Sequence, residues 1–181
     1  MNNLSDNELV ALCNDGDAAD AQRAFETLYA RHKDYVVRIA LRFGADHAGA
    51  LDVLQETFLY LLRKFPPPGD GITLSAKLTT LLYPVAKNLT LTQTAKASRY
   101  SGDDIDPDSL EANDGNGNDV EGLFAGLTAE RREVLMLRFV DGLSLEEIAT
   151  VLDIPKGTVK SRLHSSVQQL RNSPKTKDFF D

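Results

Sequence analysis

A short stretch near the end of the chain carries side chains suited to contact nucleic acid. Residues 154–177 contain six Lys or Arg and no Asp or Glu. Cationic side chains bind phosphate, and small hydroxyl side chains can reach base edges in the major groove. The candidate contacts are Lys156, Thr158, Lys160, Ser161, Arg162 and Ser165. If about four cations neutralise phosphates, the log–log slope of affinity against salt is about −4.

A second stretch without acids, residues 71–102, carries Lys87, Asn88, Lys96 and Arg99. The absence of carboxylates around these side chains favours an anionic partner. A third polar group, Asp52, Gln55 and Glu56, lies within an apolar-periodic segment. From composition alone this third group is better explained by a solvated helix face, because the polar face of an amphipathic helix is usually in contact with water.

The residue types that serve catalysis or metal binding are few and scattered. His32, His47 and His164 lie far apart in the chain, and no glycine-rich phosphate loop or nucleophile motif is present. We therefore expect no enzyme activity, no cofactor and no metal site. His32 falls within an apolar stripe and is interpreted as a core histidine with a hydrogen-bond partner. Cys13 is the only cysteine, and whether it has a redox role is left open.

Composition limits the class of protein. The chain has 181 residues, of which 42% are apolar and 26% charged, enough for one domain or two small ones. It contains no long apolar run, and its first ten residues hold no Lys or Arg. With one cysteine, this predicts a cytoplasmic protein without membrane insertion.

The net charge of −7 conceals an uneven distribution of acids. Eight of the 27 acids lie in residues 101–126, which hold no Lys or Arg. The rest of the chain has 19 acids against 20 bases, so its charge does not argue against a nucleic-acid partner.

The first hundred residues predict helices joined by short loops. Ser5 and Glu8 have capping-box spacing for a helix that ends near residues 14–16. A longer helix follows, with apolar residues from Phe25 to Phe43 and Gly44 placed to stop it. A third helix is expected from about Ala48 to Phe65, with Leu62 and Phe65 in its apolar stripe, and three prolines end it. A fourth segment carries Pro84, where we expect a kink or break.

The second half predicts a helix-turn-helix. Thr128 is a good N-cap for a helix that continues to Gly142, and Ser144 with Glu147 forms a second capping box. Helices are expected at residues 145–152 and 156–170 with a turn at 153–155 between them. The predicted fold is all-α: a helical domain at residues 1–100, an acidic flexible linker at 101–126, and a helix-turn-helix domain at 127–175.

Three sequence blocks make the chain resemble an extracytoplasmic-function sigma factor of bacterial RNA polymerase. They are Asp52-Val-Leu-Gln-Glu-Thr-Phe58, Leu82-Tyr-Pro-Val-Ala-Lys-Asn88, and Ser144-Leu-Glu-Glu-Ile-Ala149 followed by Ile154-Pro-Lys-Gly-Thr-Val-Lys-Ser-Arg-Leu163. The last block is the most specific of the three.

The resemblance implies a protein that binds core RNA polymerase and directs it to promoter DNA, with an anti-sigma factor as a further partner. It places polymerase-clamp contacts on Asp52, Leu54, Gln55, Glu56 and Phe58. It places recognition of the minus-ten element on Lys87, Asn88, Lys96 and Arg99. It places recognition of the minus-thirty-five element on the six candidate residues of the last helix, which are Lys156, Thr158, Lys160, Ser161, Arg162 and Ser165.

Two alternative functions belong to other classes of protein. A sigma-like decoy or adaptor would bind an anti-sigma factor without supporting transcription, and a helix-turn-helix regulator would need a sensing domain that the helical first half does not resemble. The chain also departs from the family pattern, with Leu81 where the family usually has Trp, Thr92 where it has Asp, and Ala95 where it has Arg. These departures fall in the segment assigned to the minus-ten element.

Overall fold

The computed structural model describes residue 1, residues 3–101, residue 124 and residues 126–172. These residues form two compact units, each of which is all-helical as predicted. The first unit contains α1 (Asp6–Asp15), α2 (Ala18–Arg42), α3 (His47–Leu62) and α4 (Leu78–Ser101). The second contains α5 (Ala129–Leu135), a π-helical turn (Met136–Val140), α6 (Leu145–Leu152) and α7 (Lys156–Arg171).

Helix α1 begins and ends where the local signals predict, and α2 ends where they predict. At the start of α1, the Ser5 hydroxyl accepts from the Glu8 N–H at 3.3 Å and the Glu8 carboxylate accepts from the Ser5 N–H at 2.7 Å. The capping box is therefore complete. Helix α2 ends at Arg42, and Gly44 follows with a φ of +89°, a left-handed value that glycine adopts without strain.

Helix α3 differs from its prediction at the C-terminal end. The expected helix reached Phe65, whereas α3 ends at Leu62, and the Phe65 N–H bonds back to the Leu62 carbonyl in a tighter turn. Pro66 disfavours helical geometry at Phe65, the residue before it, so the helix does not continue to that residue. Phe65 remains buried, but Leu62, which was assigned to the apolar stripe, is 48% exposed.

Of the kink or break expected at Pro84, the break is wrong, because one helix runs from Leu78 to Ser101 with Pro84 inside it. The proline removes one intrahelical hydrogen bond. The side chains around it, Leu82, Tyr83 and Ala86, are all fully buried. Their packing against the rest of the unit offsets the lost bond, so tertiary contacts override the local signal.

In the first unit α2 packs against the other three helices, and α4 packs against α3 as well as α2. The loop after α3 is anchored by one side chain: the Asn14 amide donates to the Ile72 carbonyl at 2.8 Å and its oxygen accepts from the Ile72 N–H at 3.0 Å. This pair of bonds fixes the approach to α4 against the end of α1.

The second unit begins with a helix that changes its winding. Thr128 is the N-cap of α5 as predicted, but α5 ends at Leu135 and the next five residues form a π-helical turn. Gly142 ends this segment as predicted, with a φ of +68°. Phe139 lies in this π-helical turn and is 64% exposed.

The helix-turn-helix is as predicted. Ser144 and Glu147 form a complete capping box at the start of α6. Asp153 ends α6 in a left-handed conformation (φ 52°, ψ 47°), and α7 then begins at Lys156 after Pro155. The core beneath the two helices contains Phe124, Leu127, Leu135 and Met136.

Among the residues described, no helix has both the length and the apolar character needed to cross a bilayer. Most of the predicted acidic linker lies outside the described residues. Two described residues fall within its predicted range in the second unit: Phe124 packs in the core, and the Gly126 carbonyl accepts a hydrogen bond from Gln169 at 2.7 Å.

Candidate nucleic-acid interface

Helix α7 has one apolar side and one polar side. Val159 is fully buried, and Leu163, Val167 and Leu170 pack against the core of the second unit. The opposite side carries Thr158, Ser161, Arg162 and Ser165, whereas Lys156 and Lys160 lie near the apolar side in the first turns of the helix. Lys156, Lys160 and Ser161 are exposed, and Thr158, Arg162 and Ser165 are half-buried. The structure therefore places all six predicted residues on the accessible part of one helix.

The hydroxyl of Ser161 has a defined hydrogen-bonding state. Its Oγ donates to the Thr158 carbonyl at 3.0 Å within α7. A hydroxyl has one hydrogen to donate and two lone pairs. In this rotamer Ser161 can therefore only accept, which matches the exocyclic amino groups that cytosine and adenine present in the major groove.

Two glutamates from other helices face the basic residues of α7. The Lys156 ammonium forms an ion pair with the Glu146 carboxylate at the start of α6, and this contact lowers the pKa of Glu146. The pKa of Glu130 in α5 is also lowered, mainly by a hydrogen bond from the Thr128 hydroxyl and further by the charges of Arg162 and Arg131. Neither glutamate was evident from the sequence as a neighbour of these bases, because each lies on a different helix from its basic partner on α7.

A second polar stripe lies on α4. Asn88, Lys96 and Arg99 are exposed, and their spacings of eight and three residues place them on one helix face. At 1.5 Å per residue, the stripe is about 16 Å long. Lys96 and Arg99 line a shallow depression with Leu91, Thr92 and Ala95. Two of the residues at which the chain departs from the family pattern thus lie beside the two cations.

Lys87 does not share the environment of the α4 stripe. Its side chain is half-buried, and its ammonium lies 5.0 Å from the centroid of the Phe43 ring at the end of α2. A cation over an aromatic face is attracted by the electron density of the ring. The Phe43 ring in turn meets Tyr83 edge-on with centroids 6.2 Å apart. Lys87 is therefore held against the helix bundle at one side of the stripe.

The predicted polymerase contacts on α3 fall into two groups. Asp52, Gln55 and Glu56 are exposed on one face of the helix, whereas Leu54 and Phe58 are 7% and 4% exposed. The Phe58 ring packs edge-on against Tyr29 with centroids 4.8 Å apart. Leu54 and Phe58 thus fix the helix from below and are not available for direct contact.

Two leucines outside the predicted contact set lie on the same outer side of α3. Leu51 and Leu62 are each 48% exposed. They precede and follow Gln55 by four and seven residues, so all three share a helix face. That spacing was readable in the sequence, but a leucine at helical spacing is more often a core residue, and Leu62 was assigned to the core stripe on that basis.

His32 and Cys13, to which the sequence assigns no contact with a partner molecule, are both buried in the first unit. The imidazole of His32 is buried and lies 2.8 Å from the Asp6 carboxylate, as expected for a core histidine with a partner. Burial raises the pKa of the Cys13 thiol to about 11. At neutral pH this thiol is almost wholly protonated, which makes it a poor nucleophile.

Comparison with known proteins places this fold in a class. Two family models match the chain, sigma-70 region 2 over residues 28–100 and sigma-70 region 4 over residues 123–172. The first covers most of α2 with α3 and α4, and the second covers the whole described second unit. The fold and the helix-turn-helix therefore define a sigma-70-type protein.

Relatives narrow the class. The chain is 34% identical over 169 residues to the ECF RNA polymerase sigma factor SigL of Mycobacterium tuberculosis, covering 86% of this chain and 92% of that protein. It is 31% identical over 164 residues to SigE of Mycolicibacterium smegmatis, covering 87% of this chain and 63% of that longer protein. The chain belongs to the extracytoplasmic-function sigma factors, which direct RNA polymerase to promoters and are not enzymes.

A solved structure has the same fold. The sigma factor RpoE of Bartonella quintana, in complex with the anti-sigma factor NepR, superposes with a TM-score of 0.58 at 21% identity. The match covers 81% of this chain and 94% of that one.

Proposed function

We propose that this sigma factor divides its work among three surfaces on two domains. Residues 1–100 bind the polymerase clamp and the minus-ten element, residues 101–126 form an acidic linker, and residues 127–175 read the minus-thirty-five element. The protein acts by binding, and the polymerase supplies the chemistry. Because RNA polymerase is a cytoplasmic enzyme, we place its sigma factor in the cytoplasm.

The observation that carries the proposal is the two-sided character of α7. Its apolar side is committed to the core, so the helix is held rigidly, and its accessible side carries small polar and basic residues. A helix of this kind fits the major groove with its first turns against base edges. We assign the minus-thirty-five contacts to Lys156, Thr158, Lys160, Ser161, Arg162 and Ser165.

The stripe on α4 suits a single DNA strand. Asn88 can donate to and accept from a base, and Lys96 and Arg99 supply positive charge about 12 to 16 Å further along the helix, at 1.5 Å per residue. Lys87 lies at the edge of this stripe, against Phe43. We assign minus-ten contacts to these four residues. Capture of an extruded base offsets part of the unstacking cost of a few kcal/mol, so strand opening needs no nucleotide hydrolysis.

The outer face of α3 suits a protein partner. Exposed Asp52, Gln55 and Glu56 offer polar contacts, and the buried Leu54 and Phe58 keep the helix in place. Polar groups of this kind set orientation and register at a protein interface. We therefore assign the clamp-binding surface to this face.

The acidic linker lowers the affinity of the free protein for DNA. Its eight carboxylates repel phosphates, and they suit a positively charged channel in the polymerase. Replacing the eight acids by their amides should raise the affinity of the free protein for duplex DNA. An unchanged affinity counts against this role.

An anti-sigma factor is the expected regulatory partner. The related fold of RpoE is seen in complex with the anti-sigma factor NepR. By analogy, we propose that a protein of that class binds this chain and withholds it from the polymerase.

The test is run-off transcription from genomic fragments with purified core polymerase and the full chain. Wild type should yield specific transcripts, and Asn88→Ala and Arg162→Ala should each reduce them strongly. Gln168→Ala is the matched control on α7, because Gln168 is exposed outside the assigned contact set. Circular dichroism melts establish that each variant is folded.

The outcomes separate the candidate functions. Binding to core polymerase without any transcript indicates a decoy. Transcripts that survive both substitutions at wild-type levels contradict the assigned DNA surfaces. Failure to bind core polymerase at any ionic strength contradicts the proposal as a whole.

A further inference from the structure

The ion pair between Glu146 and Lys156 joins the two helices of the helix-turn-helix across its turn. Glu146 lies in the first turn of α6, and Lys156 is the first residue of α7. Both side chains are more than half exposed, at 64% and 55%. Neither is needed to fill the core, so the pair serves electrostatics more than packing.

The position of Lys156 makes this contact relevant to DNA. The first turn of α7 is where a phosphate would approach, since Pro155 offers no side-chain cap to its N–H groups. While Lys156 is paired with Glu146, its charge is neutralised locally. A phosphate that binds Lys156 must either displace the Glu146 carboxylate or lie close to its negative charge. Both make the binding free energy of the phosphate less favourable.

We propose that Glu146 is a positioning residue that holds Lys156 in an ion pair when DNA is absent and thereby weakens phosphate binding by the helix-turn-helix. This inference rests on the proposed function of α7. The pair is exposed and of low strength, so it attenuates binding without blocking it. Glu146 therefore lowers the affinity for DNA that only the helix-turn-helix contacts, and favours DNA that other contacts also hold in place.

The experiment is a double-substitution cycle on the full chain. Wild type, Glu146→Gln, Lys156→Gln and the double variant are titrated with a fluorescent duplex of arbitrary sequence over a range of salt concentrations. Glu146→Gln should bind about two- to five-fold more tightly at low salt. Its log–log salt slope should be steeper by about 0.9, because Lys156 then neutralises one more phosphate.

The background without Lys156 distinguishes pairing from a general charge effect. In Lys156→Gln, adding Glu146→Gln should change affinity much less than it does in wild type. An equal gain in both backgrounds, or no gain in wild type, overturns the inference. Asp34→Asn, an exposed change in the first unit that alters net charge by the same amount, should leave the affinity unchanged.

A second measurement does not depend on DNA. Titration of the Glu146 carboxyl by NMR should show its pKa rising toward the ordinary value in Lys156→Gln, because the contact that lowers it is gone. An unchanged pKa contradicts the ion pair between Glu146 and Lys156 and overturns the inference.

If the pair is present but Lys156→Gln binds DNA like wild type, the phosphate contact of Lys156 is contradicted, and the inference falls with it. If Lys156→Gln binds more weakly but Glu146→Gln binds like wild type, the proposed function stands and only the inference fails.

Discussion

The Nε2 atom of His32 lies 2.8 Å from the Oδ2 atom of Asp6, and this contact joins α2 to the first residue of α1. Asp6 also forms an ion pair with Arg31, at 2.5 Å, and Arg31 donates to the Leu4 carbonyl at 2.9 Å. His32 is buried, whereas Arg31 reaches the surface. One carboxylate thus holds the N-terminal helix onto the bundle through a buried and an exposed partner.

Substituting Asp6→Asn should destabilise the first unit by about 1–3 kcal/mol, because it weakens the bonding of a buried polar side chain. The measurement is urea unfolding followed by circular dichroism. Asp34→Asn, on an exposed position of α2, should change the free energy of unfolding by less than about 0.5 kcal/mol. Equal effects of the two substitutions would show that the contact with His32 adds nothing.

The stability of the first unit should fall in mild acid because of His32. Burial lowers the pKa of His32 below its usual value of about 6.5, and Asp6 opposes this shift only in part. The unfolded chain therefore binds the proton more readily than the folded one. The stabilising contribution is complete above about pH 6.5 and is lost as the pH falls through the lower folded pKa.

The check on this pH dependence is the unfolding free energy measured between neutral and mildly acidic pH in wild type and in His32→Gln. The variant has no group that titrates at this position, so its curve should be flatter even if the variant is less stable. Parallel curves for the two proteins would assign the acid sensitivity to other groups.

Lys160 should contribute to DNA affinity without contributing to sequence preference. It is exposed on α7, and a lysine that meets phosphate acts on every sequence alike. Lys160→Ala should weaken binding uniformly and make the salt slope shallower by about 1. Binding of promoter and arbitrary duplexes to the full chain, measured at several salt concentrations, gives both quantities. Loss confined to one sequence would indicate base contact instead.

Two glycines of the second unit should respond to alanine in opposite directions. Gly142 has a φ of +68°, so alanine is strained there, and we expect a loss of about 1–2 kcal/mol. Gly157 lies within α7, and a β-carbon there meets open space, so alanine should stabilise by about 0.5–1 kcal/mol. Thermal unfolding of the two variants gives the signs. A stabilising Gly142→Ala would show that the left-handed turn is not maintained in solution.

Local signals were sufficient for much of this fold. The two capping boxes, at Ser5 with Glu8 and at Ser144 with Glu147, mark the starts of α1 and α6 because donor and acceptor lie three residues apart. The apolar period of α7 likewise defines which side faces the core and which side carries Thr158, Ser161, Arg162 and Ser165. These features depend on residues within one or two turns of each other, so the linear sequence contains them.

Other features were decided only by contacts between distant residues. Helix α4 continues through Pro84 because buried neighbours compensate for a lost hydrogen bond, and Leu62 lies outside the core because it shares the exposed face of α3 with Leu51 and Gln55. The partner of Lys156 comes from another helix, ten residues away across a turn. The sequence determined the helices, the sigma-factor family and the candidate surfaces. The tertiary structure decided the charge balance of those surfaces, because electrostatic energy depends on distance in space and not on separation along the chain.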